Sequence, residues 1–141
     1  MLRLLPGVYS GPFVIQRSCE LVGPGADATR LDGEGRGPVV IVQGDELRVA
    51  LTGLTLCGGL AERGGGLLVE GSATVGLRGC RVQGNRARTQ GGGLALQRGH
   101  LVLHACRVTD NAAEVGGGLL VGGSGRVTLQ DCLVAGNRAA R

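Results

Sequence analysis

The asparagines of this chain are evenly spaced, and this spacing constrains the fold more than any other feature of the sequence. They lie 26 residues apart, at Asn85, Asn111 and Asn137, and the chain has no others. Three cysteines are also spaced 26 residues apart: Cys80, Cys106 and Cys132. A glycine triplet followed by a leucine occurs earlier in the same copy of the repeat as each cysteine. A fixed period of this length is typical of repeat proteins, in which each unit stacks on its neighbours. We therefore expect three copies of one structural unit in residues 64–141.

Each copy contains apolar residues that alternate with polar or small ones. The apolar positions of the first copy are Val75, Leu77, Cys80 and Val82, and their equivalents in the other two copies are also apolar. Alternation with a period of two predicts strands that bury one face. A further short strand is predicted after each glycine triplet, at residues 67–69, 94–96 and 119–121. No stretch between the glycines has helical apolar spacing, so we predict about three short strands per copy and no helix.

The pattern predicts an all-β fold, a single-stranded parallel β-helix in which each repeat forms one coil. The 141 residues suffice for about five coils of ~26 residues in one domain, residues 1–141. Residues 64–141 would form three regular coils, and residues 1–63 would form irregular N-terminal coils. Successive coils would lie about 4.8 Å apart, the spacing of neighbouring strands, so equivalent residues would stack in columns.

These columns predict a structural role for the repeated residues. Cys80, Cys106 and Cys132 would form a column of buried, reduced thiols, because free cysteine is among the most buried residue types. The asparagines would form a ladder of side-chain hydrogen bonds at a bend, where asparagine tolerates left-handed backbone. The glycine triplets would form corners without room for a side chain. Aligning Leu54 with the cysteine column places Cys57 on the outside, as the one exposed thiol.

The repeat motif resembles that of a known family. The sequence G-G-G-L followed by V-x-x-N, at residues 82–85, 108–111 and 134–137, resembles the GGA-I/L/V and F-x-x-N repeats of chlamydial polymorphic outer-membrane proteins. The departure is valine where those repeats have phenylalanine. More broadly, the chain resembles the right-handed, pectate-lyase-like β-helix proteins of bacteria. The resemblance implies a right-handed coil, but this group includes adhesins, polysaccharide lyases and uncharacterised scaffolds, so it implies no single function.

The charge of the chain indicates which partners it could bind. The formal net charge is +4, and all 15 basic residues are arginines. The outward positions of the repeats would form one polar, basic face: Arg78, Arg81, His104, Arg107 and Gln130. Because arginine pairs well with carboxylates, an acidic protein or an acidic glycan is the expected partner. Nucleic acid is not expected, because Tyr9 and Phe13 are the only aromatic residues and stacking platforms for bases need more.

These features favour a non-catalytic scaffold or interaction module, alone or within a larger surface or multidomain protein. The alternative is a polysaccharide lyase-like or other carbohydrate-active enzyme, with this candidate cluster: Asp110, Asp131, Arg107 and His104. The chain has no lysine to act as a base and its acidic residues do not share one column, so we predict no catalytic residue. His104 would point outward and Cys106 inward, so they could not share a metal ion. Neither a metal nor a cofactor is expected.

The last repeat is predicted to leave its apolar column exposed: Val127, Leu129, Cys132 and Val134. Because open strand edges are templates for pairing, we expect self-association through this C-terminal coil, most simply as a two-fold dimer. The sequence has no run of 18 apolar residues, so no membrane span is predicted. No signal peptide is recognisable at the N-terminus. As given, the chain is expected in the cytoplasm, or at the cell surface or outside the cell if it is cut from a longer exported chain.

Overall fold

The computed structural model describes residues 1–140, and every regular element within them is a β-strand. The strands that precede the repeats are β1 (Leu2–Arg3), β2 (Gly7–Ser10), β3 (Phe13–Ile15), β4 (Cys19–Val22), β5 (Thr29–Asp32), β6 (Val40–Gln43), β7 (Arg48–Thr52), β8 (Thr55–Cys57) and β9 (Leu60–Arg63). The strands of the repeats are β10 (Leu67–Glu70), β11 (Thr74–Arg78), β12 (Arg81–Gln83), β13 (Arg86–Gln90), β14 (Leu94–Leu96), β15 (His100–His104), β16 (Arg107–Thr109), β17 (Ala112–Ala113), β18 (Leu119–Val121), β19 (Arg126–Gln130), β20 (Leu133–Ala135) and β21 (Arg138–Ala139).

The strands form four parallel sheets, and neighbouring strands of each sheet come from successive coils. The A sheet contains β1, β4, β7, β11, β15 and β19, and the B sheet contains β2, β5, β8, β12, β16 and β20. The C sheet contains β3, β6, β10, β14 and β18, and the D sheet contains β9, β13, β17 and β21. The chain is therefore a parallel β-solenoid of about five turns of ~26 residues, as predicted. Its right-handedness stays a prediction.

Residues one period apart lie directly above one another. Val75 pairs with Leu101, and Leu101 pairs with Val127. The same register extends into the less regular coils, where Leu56 pairs with Val82 as the alignment predicted. Because the strands are parallel and in register, each repeated position becomes a continuous column on one face of the solenoid.

Each regular coil contains four strands, one more than the three predicted. The additional strand follows the asparagine and belongs to the D sheet. It was not predicted because its residues are arginine, alanine and other small or polar types without an apolar alternation. It forms because stacked backbones pair directly: Arg86 N donates to Gly59 O, and Ala112 N donates to Asn85 O, both at 2.9 Å.

The interior consists of stacked aliphatic side chains. In the A sheet, Leu51, Leu77 and Leu103 form one column, and each is at most 1% exposed. Burial of one such leucine stabilises the fold by about 1.5–3 kcal/mol. The coils are thin, which fits a chain whose interior contains valine, leucine and cysteine.

The glycine triplets form the corners between the D and C sheets, as predicted. A methyl group at Gly66 would place its Cβ 2.6 Å from the carbonyl oxygen of Gly93 in the next coil. The first glycine of the triplet, Gly64, has a φ of +62°, which favours glycine. The repeat therefore needs glycine at these corners for two reasons, close stacking of the backbones and left-handed backbone.

The asparagine bend differs from the prediction in its backbone. The left-handed φ angles belong to the residues before the asparagines: +65° at Gly84, +56° at Asp110 and +66° at Gly136. The prediction that asparagine itself adopts the left-handed conformation is therefore wrong. Asparagine is required at the next position because its side chain turns into the solenoid and forms hydrogen bonds there.

The predicted asparagine ladder is present. Nδ2 of Asn85 donates to Oδ1 of Asn111 at 3.1 Å, and Nδ2 of Asn111 donates to Oδ1 of Asn137 at 3.0 Å. Each Nδ2 also donates to a backbone carbonyl of the preceding coil, Val82 O for Asn111 at 2.9 Å. Asn85 and Asn111 are buried, so these bonds satisfy polar groups that water cannot reach.

All five cysteines are free, and two of the three repeat cysteines are buried as predicted. Cys80 and Cys106 are each 1% exposed. A hydrogen bond with Cys106, together with burial, raises the pKa of the Cys80 thiol. Cys132 is half-buried because it lies in the last described coil.

The prediction that Cys57 is the one exposed thiol is wrong. Cys57 is half-buried, and so are Cys19 and Cys132. Burial raises the pKa of the Cys57 thiol, and the neighbouring charge of Asp32 raises it further. The side chain contacts the adjacent coil, because Sγ of Cys57 donates to the carbonyl oxygen of Leu31 at 3.7 Å.

The last described coil exposes its apolar column, as predicted. Leu129 is 47% and Val134 is 45% exposed, whereas the equivalent residues one coil earlier, Leu103 and Val108, are at most 1% exposed. Val127 and Cys132 are half-buried. No helix within residues 1–140 could cross a membrane.

Candidate functional site

The five residues of the predicted basic face lie on both sides of one corner, which we call the basic corner: Arg78, Arg81, His104, Arg107 and Gln130. In the A sheet, Arg78, His104 and Gln130 stack at the ends of β11, β15 and β19. In the B sheet, Arg81 and Arg107 stack at the starts of β12 and β16. The side chains therefore occupy two faces that meet at an edge rather than one flat face.

The turn of the basic corner has left-handed backbone in every regular coil. The φ angles are +60°, +55° and +54° at Gly79, Ala105 and Asp131. In the first regular coil, Arg78 precedes the turn residue and is exposed, Cys80 follows it and is buried, and Arg81 comes next and is half-exposed. The corner is therefore a sharp ridge, and Arg78 and Arg107 are exposed on it.

Acidic residues lie close to part of the basic corner. Arg81 forms an ion pair with Asp27, which comes from an irregular N-terminal coil. Nε2 of His104 lies 3.9 Å from Oδ2 of Asp131. Within residues 1–140, Arg78 and Arg107 have no such ion pair, so they are the two arginines of the corner whose charge is uncompensated.

A shallow cavity of about 210 Å³ lies beside the basic corner on the A sheet. Its lining residues include Gly76, Val102, Arg78 and His104, together with the acidic residue Glu20. No atom lies within 4 Å of the position that a Cβ of Gly76 would occupy. The absence of a side chain at Gly76 therefore leaves room for a ligand group beside Arg78.

The residues weighed as an enzymatic cluster are only partly brought together. His104 and Asp131 are neighbours at the corner between the A and B sheets. Asp110 follows β16, whereas Arg107 begins it, so Asp110 lies at the other end of that strand. The structure does not assemble all four residues around one point.

The structure also tests the pairing considered for a metal. His104 is half-exposed and Cys106 is buried, so the two side chains point to opposite sides of the chain, as predicted. In the part of the chain that the structure describes, no three histidine, cysteine, aspartate or glutamate residues are grouped so that they could hold a metal ion.

The sequence prediction missed a second charged surface on the D sheet. A cavity of about 680 Å³ lies over its outer face, lined by Arg86, Arg88, Ala112, Glu114 and Arg138 among others. The signal was present in the sequence, because arginine follows two of the three asparagines, at Arg86 and Arg138, and Ala112 follows the third. Without the fourth strand these positions could not be assigned to one face.

No family model, curated protein or solved structure matches this chain. The likeness to polymorphic outer-membrane proteins and to pectate-lyase-like proteins therefore rests on the repeat motifs alone. What the structure establishes is the parallel β-solenoid with its stacked columns.

Proposed function

We propose that this protein is a non-catalytic β-solenoid scaffold that presents the basic corner to an acidic protein or an acidic glycan. The observation that carries the proposal is the pair of exposed arginines on adjacent coils, Arg78 and Arg107, without an ion pair in residues 1–140. Arginine binds a carboxylate through two parallel hydrogen bonds. A rigid solenoid holds two such groups at a fixed separation.

Binding of acidic polymers tests this proposal. Polygalacturonate and polyglutamate are titrated against the protein, at low and at high salt, and the double variant Arg78→Gln/Arg107→Gln is compared with the double variant Arg3→Gln/Arg17→Gln. Arg3 and Arg17 are exposed in the N-terminal part of the chain, so the control removes the same number of charges away from the basic corner. We expect the Arg78→Gln/Arg107→Gln variant to lose at least about tenfold in affinity with an unchanged melting temperature. Equal binding by both variants would overturn the proposal.

A second candidate is a carbohydrate-active enzyme, and the observation in its favour is the contact between His104 and Asp131 at 3.9 Å. A histidine beside a carboxylate can act as a general base. The test is the formation of unsaturated products from acidic polysaccharides, with and without Ca²⁺. If the native protein forms these products and the His104→Gln variant does not, the result favours an enzyme over a scaffold.

We also propose that the scaffold self-associates through its last described coil, with a second copy of the chain as the occupant. The support is the exposed column that contains Leu129 and Val134. Each earlier coil buries the same column against its neighbour, so a strand-bearing surface of a second copy would continue an interface that the fold already uses.

A further inference from the structure

The outer face of the D sheet contains two neighbouring rows of side chains with different charge balance. In one row, Arg88 lies 3.9 Å from Glu62, and Glu114 borders the same cavity. In this row the charge of Arg88 is therefore balanced by a carboxylate. The cavity as a whole is lined by three arginines and one glutamate, so it carries an excess of positive charge.

The other row provides that excess. Arg86 pairs in register with Ala112, and Ala112 pairs in register with Arg138. Within residues 1–140 neither Arg86 nor Arg138 has a carboxylate within ion-pair distance. Two arginines without an ion pair in residues 1–140 therefore flank an alanine along the stack.

The alanine creates the space between the arginines. The Cα atoms of Arg86 and Arg138 are separated by two coil steps, about 9.6 Å. An extended arginine side chain can span most of one coil step, which is half of this distance. The methyl group of Ala112 fills little of the space between the two arginines. The cavity of about 680 Å³ contains this volume, with Ala113 and Ala139 among its lining residues.

The charge and shape of the pair determine which anion fits. A single carboxylate has one charge and two oxygens, which one guanidinium group already satisfies. A phosphate monoester carries about −1.5 to −2 charges at neutral pH and has three acceptor oxygens. It can therefore accept hydrogen bonds from two planar guanidinium groups at once.

We infer that Arg86 and Arg138 form a binding site for one phosphate monoester, held over Ala112 on the outer face of the D sheet. This site lies on a different sheet from the basic corner, so it does not depend on the proposed scaffold function. The ligand chemistry is shared by phosphorylated peptides and by small phosphorylated metabolites such as sugar phosphates.

Titrations followed by amide chemical shifts test the inference on the whole chain. The probes are inorganic phosphate, a phosphoserine tripeptide, a sugar phosphate and, as the carboxylate comparison, glutarate. We expect shifts at residues 86, 112 and 138 with the phosphates, and tighter binding of the tripeptide or the sugar phosphate identifies the source. If glutarate binds as tightly as phosphate, the site does not select phosphate over carboxylate and the assignment of the ligand class fails.

Substitutions test the residues. Arg86→Gln and Arg138→Gln should each weaken phosphate binding by about tenfold. Arg88→Gln is the matched control because its arginine is already ion-paired with Glu62, and it should change the affinity by less than about threefold. Equal losses in all three variants would mean general attraction by a basic surface and would overturn the site.

A final pair of variants gives a readout that does not depend on an added ligand. Ala112→Glu places a carboxylate between the two arginines, whereas Ala112→Gln has nearly the same shape without the charge. We expect Ala112→Glu to unfold at a higher urea concentration than Ala112→Gln and to abolish phosphate binding. If the two variants unfold at the same concentration and both still bind phosphate, the arginines do not converge over residue 112 and the inference fails.

Discussion

The side-chain oxygen of Asn111 accepts two hydrogen bonds from Asn85, one from the backbone nitrogen at 3.0 Å and one from Nδ2 at 3.1 Å. The same arrangement joins Asn111 to Asn137. The side-chain oxygen of each of these two asparagines therefore holds both the backbone and the side chain of the equivalent asparagine in the preceding coil. This relationship explains why asparagine, and no other polar residue, recurs at the bend.

The ladder makes a prediction about the relative cost of removing its members. Asn111 forms bonds to both neighbouring coils and is 1% exposed, whereas Asn137 is half-exposed and, within residues 1–140, is bonded only to the preceding coil. Asn111→Ala should lower the free energy of unfolding by roughly 1–2 kcal/mol more than Asn137→Ala, because it leaves more buried partners unsatisfied. Urea denaturation of the two variants measures the difference, and equal losses would contradict the ladder.

The glycine corners make a second prediction, with a control on the same coil. Gly66→Ala places a Cβ against the carbonyl oxygen of Gly93 and should destabilise the protein by at least about 1–3 kcal/mol. Gly76→Ala meets no atom within 4 Å, and Gly76 has no left-handed φ. It should therefore be neutral or stabilise the fold by up to about 1 kcal/mol, because alanine restricts the unfolded chain. Thermal melts compare the two variants, and the corner argument fails if Gly66→Ala is tolerated as well as Gly76→Ala.

The cysteines provide a chemical test of which positions face inward. Cys19, Cys57 and Cys132 are half-buried and should react with a thiol reagent in the native protein. Cys80 and Cys106 are at most 1% exposed and should react only after unfolding. Peptide mapping after a short labelling pulse identifies the modified residues, and rapid labelling of Cys80 or Cys106 would refute the inward column.

The reactivity of Cys57 should also depend on pH in a defined direction. Only the thiolate reacts, and burial raises the pKa of Cys57 above its usual value. The half-maximal labelling rate of Cys57 should therefore occur at a higher pH than for the same residue in the unfolded chain. A lower pH for the native protein would mean that a positive charge, and not burial, dominates at this thiol.

Self-association makes a prediction for the C-terminal coil. Val134→Arg adds a charge to the exposed column and should shift a self-associating sample towards monomers in sedimentation experiments. Val8→Arg is the control, because Val8 is exposed on the first coil and the proposal gives it no role in the interface. A native chain that sediments as a monomer across micromolar concentrations would contradict the proposed association.

The strands and their register were predictable because identity at a fixed period specifies columns directly. The alignment of Leu56 with Val82 needed only the repeat, and it extended the register beyond the most regular coils. Alternation of apolar residues then indicated which columns face inward. Both signals depend on residues that recur, so they describe the coils that are most alike.

The remaining features do not follow from recurring apolar residues. The partner of Arg81 is Asp27, which lies in an irregular coil outside the repeat, and no period relates the two. The fourth strand contains alanine and arginine, so it has no apolar pattern, and its pairing arises from backbone stacking. The cavity over Ala112 depends on this stacking, which the apolar pattern does not specify.

The stacking of residues one period apart is the central structural result, and nuclear Overhauser effects between leucine methyl groups test it most directly. Leu77 pairs with Leu103, and Leu103 pairs with Leu129, so neighbouring backbones are about 4.8 Å apart and alternate ones about 9.6 Å apart. The β-solenoid predicts strong effects from Leu103 to both of the other leucines and none between Leu77 and Leu129. Contacts at another sequence separation, or an absence of effects between Leu77 and Leu103, would contradict the fold.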